Sequence, residues 1–204
     1  MKFLAVSGSL RRASSNSELL RAAALLAPRG LLITQFEGLG GLPLFNPDLD
    51  TDPLPPAVRA LRQSIGAADA LLISSPEYAH GVPGALKNAL DWLVSSLEMI
   101  GKPIGLLNAS PRAVHAQESL AEILRTMSTE VVPAAQVSVP LLGRKLTAAA
   151  IAADPALAQL VRGALTALMQ AAIRSEREAD GAASRAVSWC CAEQPSIRNA
   201  RPSA

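Results

Sequence analysis

The first stretch that could do chemistry is a loop at residues 8–17, which combines a glycine with hydroxyl, amide and guanidinium groups. Gly8 lets the backbone turn closely, and Arg11 can form charge-assisted hydrogen bonds with an anion. The other donors are Ser9, Ser14, Ser15, Asn16 and Ser17. A helix beginning in this loop would point its free N–H groups at the same place, which indicates a phosphate site.

The same loop also has a purely structural interpretation, because Ser and Asn cap helices without binding any ligand. Its spacing matches neither G-x-G-x-x-G nor a Walker loop, so those nucleotide motifs are excluded. The loop contains no cysteine. A cysteine-dependent phosphatase needs a thiolate over its phosphate loop, so that class is excluded too.

A second loop, residues 76–84, is restricted by a proline near each end. Its fixed backbone would present amide groups along one edge, which suits a planar heterocycle. Glu77 could be catalytic, or could be a solvated or helix-capping group. Tyr78 could lie near a ring or fill a gap in the core, and His80 could face a ligand or lie exposed.

A third loop, residues 108–115, has small residues where a ring could approach the backbone. Arg112 could meet a nicotinamide nucleotide phosphate or another subunit, and we interpret His115 as structural. His80 and His115 stand alone without metal-ligand spacing, so no metal site is predicted.

These loops need strands and helices to position them, and hydrophobic periodicity predicts both. Strands are predicted at 3–7, 31–36, 69–75 and 102–110, with a weaker fifth around 131–132 or 136–139. Helices are predicted at 16–27, 56–66, 83–97 and 115–128, and a last one begins with Asp154 as N-cap and Pro155 as N1. Ser15 and Glu18 fit a capping box for the first helix.

Alternating strands and helices predict an α/β fold with a five-stranded parallel sheet covered on both faces, a flavodoxin-like three-layer sandwich. The natural strand order is 2-1-3-4-5. Strands 1, 3 and 4 are then adjacent, so the three loops that follow them form one crevice at the carboxyl ends. The intervening loop of about twenty residues after the second strand is long enough to suggest a function.

Composition limits the remaining possibilities. The chain has 204 residues, a net charge of +2 and scattered basic residues, which does not favour a nucleic-acid partner. No signal peptide and no apolar run long enough for a membrane span are evident, so we expect a soluble cytoplasmic protein.

Cys190 and Cys191 make no disulfide framework. We expect one domain at 1–174 and a flexible tail at 175–204.

Three stretches carry a family likeness: "GSLRRASSN", "PLFNPDLD" and "PEYAHGVPGALKNALDW". Together they resemble the NADPH-dependent FMN reductases of flavodoxin-like fold, a group that includes chromate and quinone reductases and azoreductase-like proteins. The likeness covers roughly residues 2–174. Its most specific part is P-E-Y followed by P-G-x-L-K-N-A-x-D-W.

The resemblance implies a tightly held FMN, with NADPH or NADH as the reductant. It implies that the phosphate lies with Ser9, Arg11, Ser14, Asn16 and Ser17. It implies that the isoalloxazine lies along Pro76, Glu77, Tyr78 and Ala79 and against Ser110, with His80 at the same loop. It also implies a homodimer or homotetramer, with the long second loop and the helix after Pro83 near the interface.

The sequence departs from the family pattern at two points in the second loop and in the third loop. Ala79 stands where many members have Asn, and Gly81 where many have Ser, so a side-chain hydrogen bond to the ring is lost. The stretch "SPRAVHA" replaces a Gly-rich sequence, which leaves the nicotinamide and substrate contacts open.

The predicted function is an NAD(P)H-dependent FMN reductase or quinone reductase, in which the cofactor does the chemistry and no side chain is assigned as catalytic. Its acceptors would be small molecules: quinones, flavins, azo compounds or metal oxyanions. Two alternatives remain open, a non-enzymatic flavodoxin-like electron carrier and a cofactor-free regulatory module. Carriers of that kind tend to be acidic, whereas this chain is slightly basic.

Overall fold

A computed structural model describes the backbone of residues 1–192 and the side chains of residues 1–178. The strands are β1 (Lys2–Ser7), β2 (Leu32–Gln35), β3 (Ala70–Ser74), β4 (Pro103–Asn108) and β5 (Glu130–Ser138). The helices are α1 (Ser15–Leu25), α2 (Pro56–Gly66), α3 (Gly84–Asp91), α4 (Val114–Thr126), α5 (Ala148–Ala153) and α6 (Pro155–Ala192).

The five strands form one parallel sheet in the order β2-β1-β3-β4-β5, which confirms the predicted topology. Side chains alternate across the strands. In β1, Phe3 and Ala5 face a core shared with α1 and α6, whereas Leu4 and Val6 face a core shared with α2, α3 and α4. The sheet is therefore covered on both faces.

Helix α1 begins one residue earlier than the capping-box prediction requires. Ser14 is the N-cap, and its hydroxyl accepts a hydrogen bond from the N–H of Ser17 at 3.4 Å. The predicted partner Glu18 instead accepts from the N–H of Ala148 at 2.7 Å, in the first turn of α5. The predicted Ser15–Glu18 capping box is wrong because the carboxylate caps a different helix.

Helix α3 ends at Asp91, well before the predicted end at residue 97. The guanidinium of Arg62, on α2, donates to the carbonyl oxygen of Trp92 at 2.7 Å and to Asp50 at 2.8 Å. These contacts satisfy the end of α3 and replace a further helical turn. Val94, predicted on the apolar face, is consequently exposed.

The long loop after β2 contains two short 3-10 helices, Leu39–Gly41 and Pro47–Leu49, and is fixed to α3. The side chain of Asn88 accepts from the N–H of Phe45 at 2.7 Å and donates to the carbonyl oxygen of Pro43 at 2.9 Å. The indole of Trp92 is fully buried and donates to the same carbonyl at 2.8 Å. The K-N-A-L-D-W motif therefore holds the loop in place.

Strand β5 joins both segments that the sequence offered as alternatives, with an irregularity in its pairing opposite Ile104 and Leu106.

Helix α5 was not predicted. Asp154 caps α6 as predicted, because its carboxylate accepts from the N–H groups of Ala156 at 3.0 Å and Leu157 at 3.2 Å.

Helix α6 continues to Ala192, although the apolar pattern stops near residue 174. The division into a domain and a tail from residue 175 stays a prediction. Residues 193–204 lie outside the described part of the chain, and the side chains of Cys190 and Cys191 are not described either.

The segment Pro155–Glu178 of α6 is long and apolar enough to cross a membrane by length and composition. Its apolar stripe packs on the sheet, however: Val161, Leu165 and Leu168 are fully or almost fully buried in the core shared with β3, β4 and β5. A core helix passes the same length test, and the packing favours that interpretation.

Candidate functional site

A cleft of about 450 Å³ opens at the carboxyl ends of β1, β3 and β4, where the predicted topology places it. The loops that follow these strands form three of its walls. Eight of the predicted site residues line it: Ser9, Arg11, Ser14, Asn16, Pro76, Glu77, Tyr78 and Ser110. Ser17, Ala79 and His80 are not among the residues that line it.

The β1–α1 loop passes very close to the start of the β3–α3 loop. The N–H of Gly8 donates to the carbonyl oxygen of Ser74 at 2.8 Å. A Cβ added at residue 8 would lie 2.6 Å from the hydroxyl of Ser75 and 3.1 Å from Leu86. Glycine is therefore needed here for a close approach of the two loops, as expected.

The first turn of α1 presents free donors to the cleft. Within residues 1–178, the N–H groups of Ser15 and Asn16 have no protein acceptor, and both residues line the cleft. The buried side-chain oxygen of Asn16 accepts from the hydroxyl of Ser74 at 2.9 Å, which fixes the helix start against β3. Arg11 is exposed at the mouth. This end of the cleft therefore suits an anion.

Ser17 was predicted to bind the phosphate, but its side chain points away from the cleft. It is buried and its hydroxyl lies 2.9 Å from that of Ser7, with which it shares a hydrogen bond. Ser17 lies in the first turn of α1 and packs toward β1, so its hydroxyl holds this turn against the strand.

The β3–α3 loop turns back on itself between Tyr78 and Gly81. The N–H of Gly81 donates to the carbonyl oxygen of Tyr78 at 2.9 Å, and the reverse bond is 3.2 Å long. The two central residues, Ala79 and His80, have left-handed backbones with φ of 48° and 60°. This is the arrangement of a type I′ turn, and it directs both side chains out of the cleft.

Two contacts attach this turn to the first turn of α4. The carboxylate of Glu77 accepts from the N–H of Ala116 at 2.9 Å, so Glu77 caps α4, as one of its two interpretations predicted. The ring of His80 stacks on that of His115 with centroids 4.3 Å apart. His80 is exposed, and His115 holds the turn as the structural interpretation required.

The β4–α4 loop is organised by Asn108, which is buried. Its side-chain oxygen accepts from the N–H of Ser110 at 2.9 Å, and its amide donates to the carbonyl oxygen of Ala113 at 3.3 Å. Ala113 and Arg112 line the cleft, the first buried and the second exposed. This wall is therefore built mainly from small residues, Ala109, Ser110 and Ala113, with the exposed guanidinium of Arg112 beside them.

A fourth wall comes from the loop between β5 and α5, which the sequence analysis did not include. Leu141, Leu142 and Gly143 line the cleft, and the N–H of Leu141 donates to the carbonyl oxygen of Ala109 at 3.2 Å. Gly143 has a left-handed φ of 75°. The sequence signal for this wall was Leu-Leu-Gly at 141–143, which follows Pro140 after the second candidate for the fifth strand, residues 136–139.

A sequence profile that describes NADPH-dependent FMN reductases matches residues 1–142, about two thirds of the chain and every strand of the sheet. This chain belongs to the NADPH-dependent FMN reductase family. The resemblance drawn from the three sequence stretches is thereby confirmed, and the FMN reductase fold accounts for the strand order and for the cleft at its switch point.

Two curated relatives are similar in sequence to part of this chain. An NAD(P)H-dependent FMN reductase of Pseudomonas aeruginosa is 45% identical over 112 residues, which are 54% of this chain and 60% of the relative. A 2-hydroxy-1,4-benzoquinone reductase of Burkholderia sp is 50% identical over 92 residues, 45% of this chain and 49% of the relative. The matched segment thus spans about half of these relatives.

A solved structure extends the similarity over most of the fold. The flavoenzyme NAD(P)H:(acceptor) oxidoreductase FerB of Paracoccus denitrificans superposes with a TM-score of 0.70 at 28% identity. The superposition covers 85% of this chain and 98% of that one. The flavodoxin-like fold is therefore shared over most of this chain.

Proposed function

We propose that this chain is an FMN-dependent NAD(P)H oxidoreductase that passes hydride from NAD(P)H, through bound FMN, to quinones, flavins, azo compounds or metal oxyanions. One observation carries the proposal: a single cleft has free helix N–H groups in the β1–α1 wall and small residues, among them Ala109, Ser110 and Ala113, in the β4–α4 wall. This polarity matches a ligand with a phosphate at one end and a flat ring at the other.

The residues present fit FMN. A volume of about 450 Å³ lies within the range of about 300–1,000 Å³ that is usual for cofactor sites. Gly8 leaves no side chain between the two loops that meet there. Bound FMN would accept a hydride from NAD(P)H and deliver electrons to the second substrate.

At the phosphate end, the N–H groups of Ser15 and Asn16 and the guanidinium of Arg11 would hold the negative charge. The hydroxyls of Ser9 and Ser14 line the same end, although each already accepts one backbone hydrogen bond, from Arg11 and Ser17 respectively. Because a hydroxyl can donate as well as accept, both remain able to bind a phosphate oxygen.

At the ring end, the backbone of Pro76, Glu77 and Tyr78 would lie along the flavin edge, with Ser110 opposite. Glu77 holds this edge in place through α4 and is not assigned a proton-transfer role. Contact from Ala79 and His80 would be limited to their backbones, because their side chains leave the cleft. Arg112 at the rim is placed to meet a phosphate of the nicotinamide nucleotide.

The partners follow from the same proposal. We expect small-molecule acceptors, no nucleic-acid or membrane partner, and a cytoplasmic location. We also expect a homodimer or homotetramer, because large apolar side chains are exposed in the segment after α3 and in the loop fixed to α3: Leu44 by 83%, Val94 by 69% and Leu97 by 78%. Light scattering on the purified protein measures this state.

The deciding experiment mixes FMN-loaded protein with NADPH and with NADH separately, without oxygen, and follows the loss of flavin absorbance. We expect rapid bleaching with at least one of the two, followed by reoxidation when a quinone is added. Slow bleaching with both would favour the electron carrier instead. Colourless protein that takes up no added FMN would favour the cofactor-free module.

A further inference from the structure

A second cavity, of about 340 Å³, lies on the β2 side of the β1–α1 loop, whereas the cleft lies on the β3 side. We call it the arginine cavity, because Arg11, Arg12 and Arg21 line it together. Its opposite wall is formed by residues 35–37 at the carboxyl end of β2. Of the residues proposed to hold FMN, Ser9 and Arg11 also line this cavity, whereas Arg12, Arg21 and residues 35–37 have no role in the proposed FMN site.

The arginine cavity carries an excess of positive charge. Arg21 pairs with Glu18, but within residues 1–178 the guanidinium groups of Arg11 and Arg12 have no acceptor. Among the lining residues Glu37 supplies a carboxylate against the three arginines. Like charges that line one cavity repel one another, and an anion bound between them reduces the repulsion.

The rest of the lining favours an organic anion over a bare ion. Leu10, Phe36 and Leu39 provide apolar surface, and Phe36 contributes an aromatic ring. Deeper in the wall, the hydroxyls of Ser7 and Ser17 are buried and hydrogen bonded to each other at 2.9 Å. Arginine forks recognise phosphate, an aromatic ring packs against a base, and a carboxylate accepts hydrogen bonds from ribose hydroxyls.

The arginine cavity adjoins the cleft, since Ser9 and Arg11 line both. Arg11 stands at the boundary, next to the place proposed for the FMN phosphate. One extended ligand could therefore occupy the cleft with one end and the arginine cavity with the other.

The geometry points to a subsite for an adenosine phosphate, the second half of a dinucleotide whose first half lies in the cleft. This inference rests on the proposed function, which supplies the flavin end. Two dinucleotides carry the required group: NAD(P)H and FAD. Both share the same chemistry, a phosphate for the arginines and an adenosine for the wall of Leu10 and Phe36.

The test titrates adenosine 2′,5′-bisphosphate into FMN-loaded protein by calorimetry. The variants are Arg12→Ala, which removes an exposed guanidinium that does not line the cleft, and Arg12→Lys, which keeps the charge but loses the fork. Arg29→Ala, an exposed arginine beyond the end of α1, is the matched control. We expect affinity to fall about tenfold or more in Arg12→Ala, less in Arg12→Lys, and not at all in Arg29→Ala.

Two further measurements identify which dinucleotide, FAD or NAD(P)H, supplies the adenylate. If the flavin supplies the adenylate, wild-type protein retains FAD more tightly than FMN, and Arg12→Ala loses that difference. If the nicotinamide nucleotide supplies it, Arg12→Ala raises the KM for NADPH while kcat stays constant. The subsite is overturned if the bisphosphate does not bind or binds all variants equally, and the dinucleotide assignment is overturned if neither measurement responds.

Failure of the proposed function would look different. In that case NADPH and NADH would leave the flavin oxidised, or the protein would take up no flavin. Calorimetry with the bisphosphate on protein without flavin would still report on the arginine cavity.

Discussion

Arg11 and Asn16 both line the cleft, but only Asn16 also supports the fold. We predict that Arg11→Ala weakens FMN binding about tenfold or more through loss of a charged hydrogen bond, without lowering the free energy of unfolding. Asn16→Ala would weaken FMN binding and also lower stability by about 1–2 kcal/mol, because the Ser74 hydroxyl loses its acceptor.

Fluorescence titration with FMN and urea unfolding of the flavin-free protein measure the two effects separately. Arg29→Ala serves as the control for a lost surface charge. Full FMN occupancy in both variants would show that the phosphate lies elsewhere in the cleft.

Ala79 occupies a left-handed backbone position, where an L-residue with a Cβ is strained. We predict that Ala79→Gly raises the free energy of unfolding by about 0.5–1 kcal/mol, since relief of strain exceeds the entropic cost of glycine. Ala149→Gly, at an exposed position in α5, should lower it by about 0.5–1 kcal/mol. Urea unfolding of both variants checks the opposite signs, and a loss in both would contradict a strained turn.

At the scale of elements, Glu77 joins the β3–α3 loop to the first turn of α4. We predict that Glu77→Ala lowers stability by about 1–2 kcal/mol and weakens FMN binding, since one N–H of α4 loses its cap and the ring-side loop loses its support. Glu77→Gln keeps an acceptor oxygen and should retain most of both. If Glu77→Gln instead abolished flavin reduction while stability stayed unchanged, the carboxylate would have a chemical role.

The carboxyl group of Asp154, at the junction between α5 and α6, makes the stability of the fold depend on pH. The N–H of Leu157 is the main cause that lowers the pKa of Asp154, and the Arg144 guanidinium and the N–H of Ala156 act in the same direction. Because the folded-state pKa is lowered, this stabilisation is fully present above the unfolded value of about 3.9 and is lost as the pH falls through the lowered pKa.

We therefore predict that Asp154→Asn is less stable than wild type at neutral pH, and that the difference shrinks below about pH 4. Thermal unfolding across this range measures it. A difference that stayed constant down to the lowest pH would mean that the charge contributes nothing and that only the cap geometry matters.

At the scale of the whole molecule, the packing of α6 shows whether this helix belongs to the protein core or is a membrane segment. Leu168 is fully buried against the sheet, whereas Leu160 is 37% exposed on the same helix. We predict that Leu168→Ala lowers the free energy of unfolding by about 2–5 kcal/mol, and Leu160→Ala by less than about 1 kcal/mol. Similar losses in urea unfolding would show that the two faces of α6 do not differ in packing.

Much of the fold could be predicted because its signals are local. Hydrophobic periodicity located four strands and the first four helices, and helix α2 has its predicted bounds of Pro56–Gly66. The right-handed crossover rule restricted the topology, and the flavodoxin-like order 2-1-3-4-5 was the natural choice for five strands. This order brings the three loops together. Helix α3 was predicted too long because the contact that ends it comes from Arg62, thirty residues earlier.

The amino-acid sequence by itself determined the family, the sheet topology and the edge at which the cleft opens, since these follow from local patterns and from motifs. Only the tertiary structure decided which polar side chains face that cleft. Ser17 turns to Ser7, Glu18 to Ala148 and Glu77 to Ala116, while the β5–α5 loop closes a fourth wall. Each of these contacts joins two different elements, with partners between ten and 130 residues apart in the chain. Residue type and spacing do not specify which donor or acceptor of another element a side chain meets.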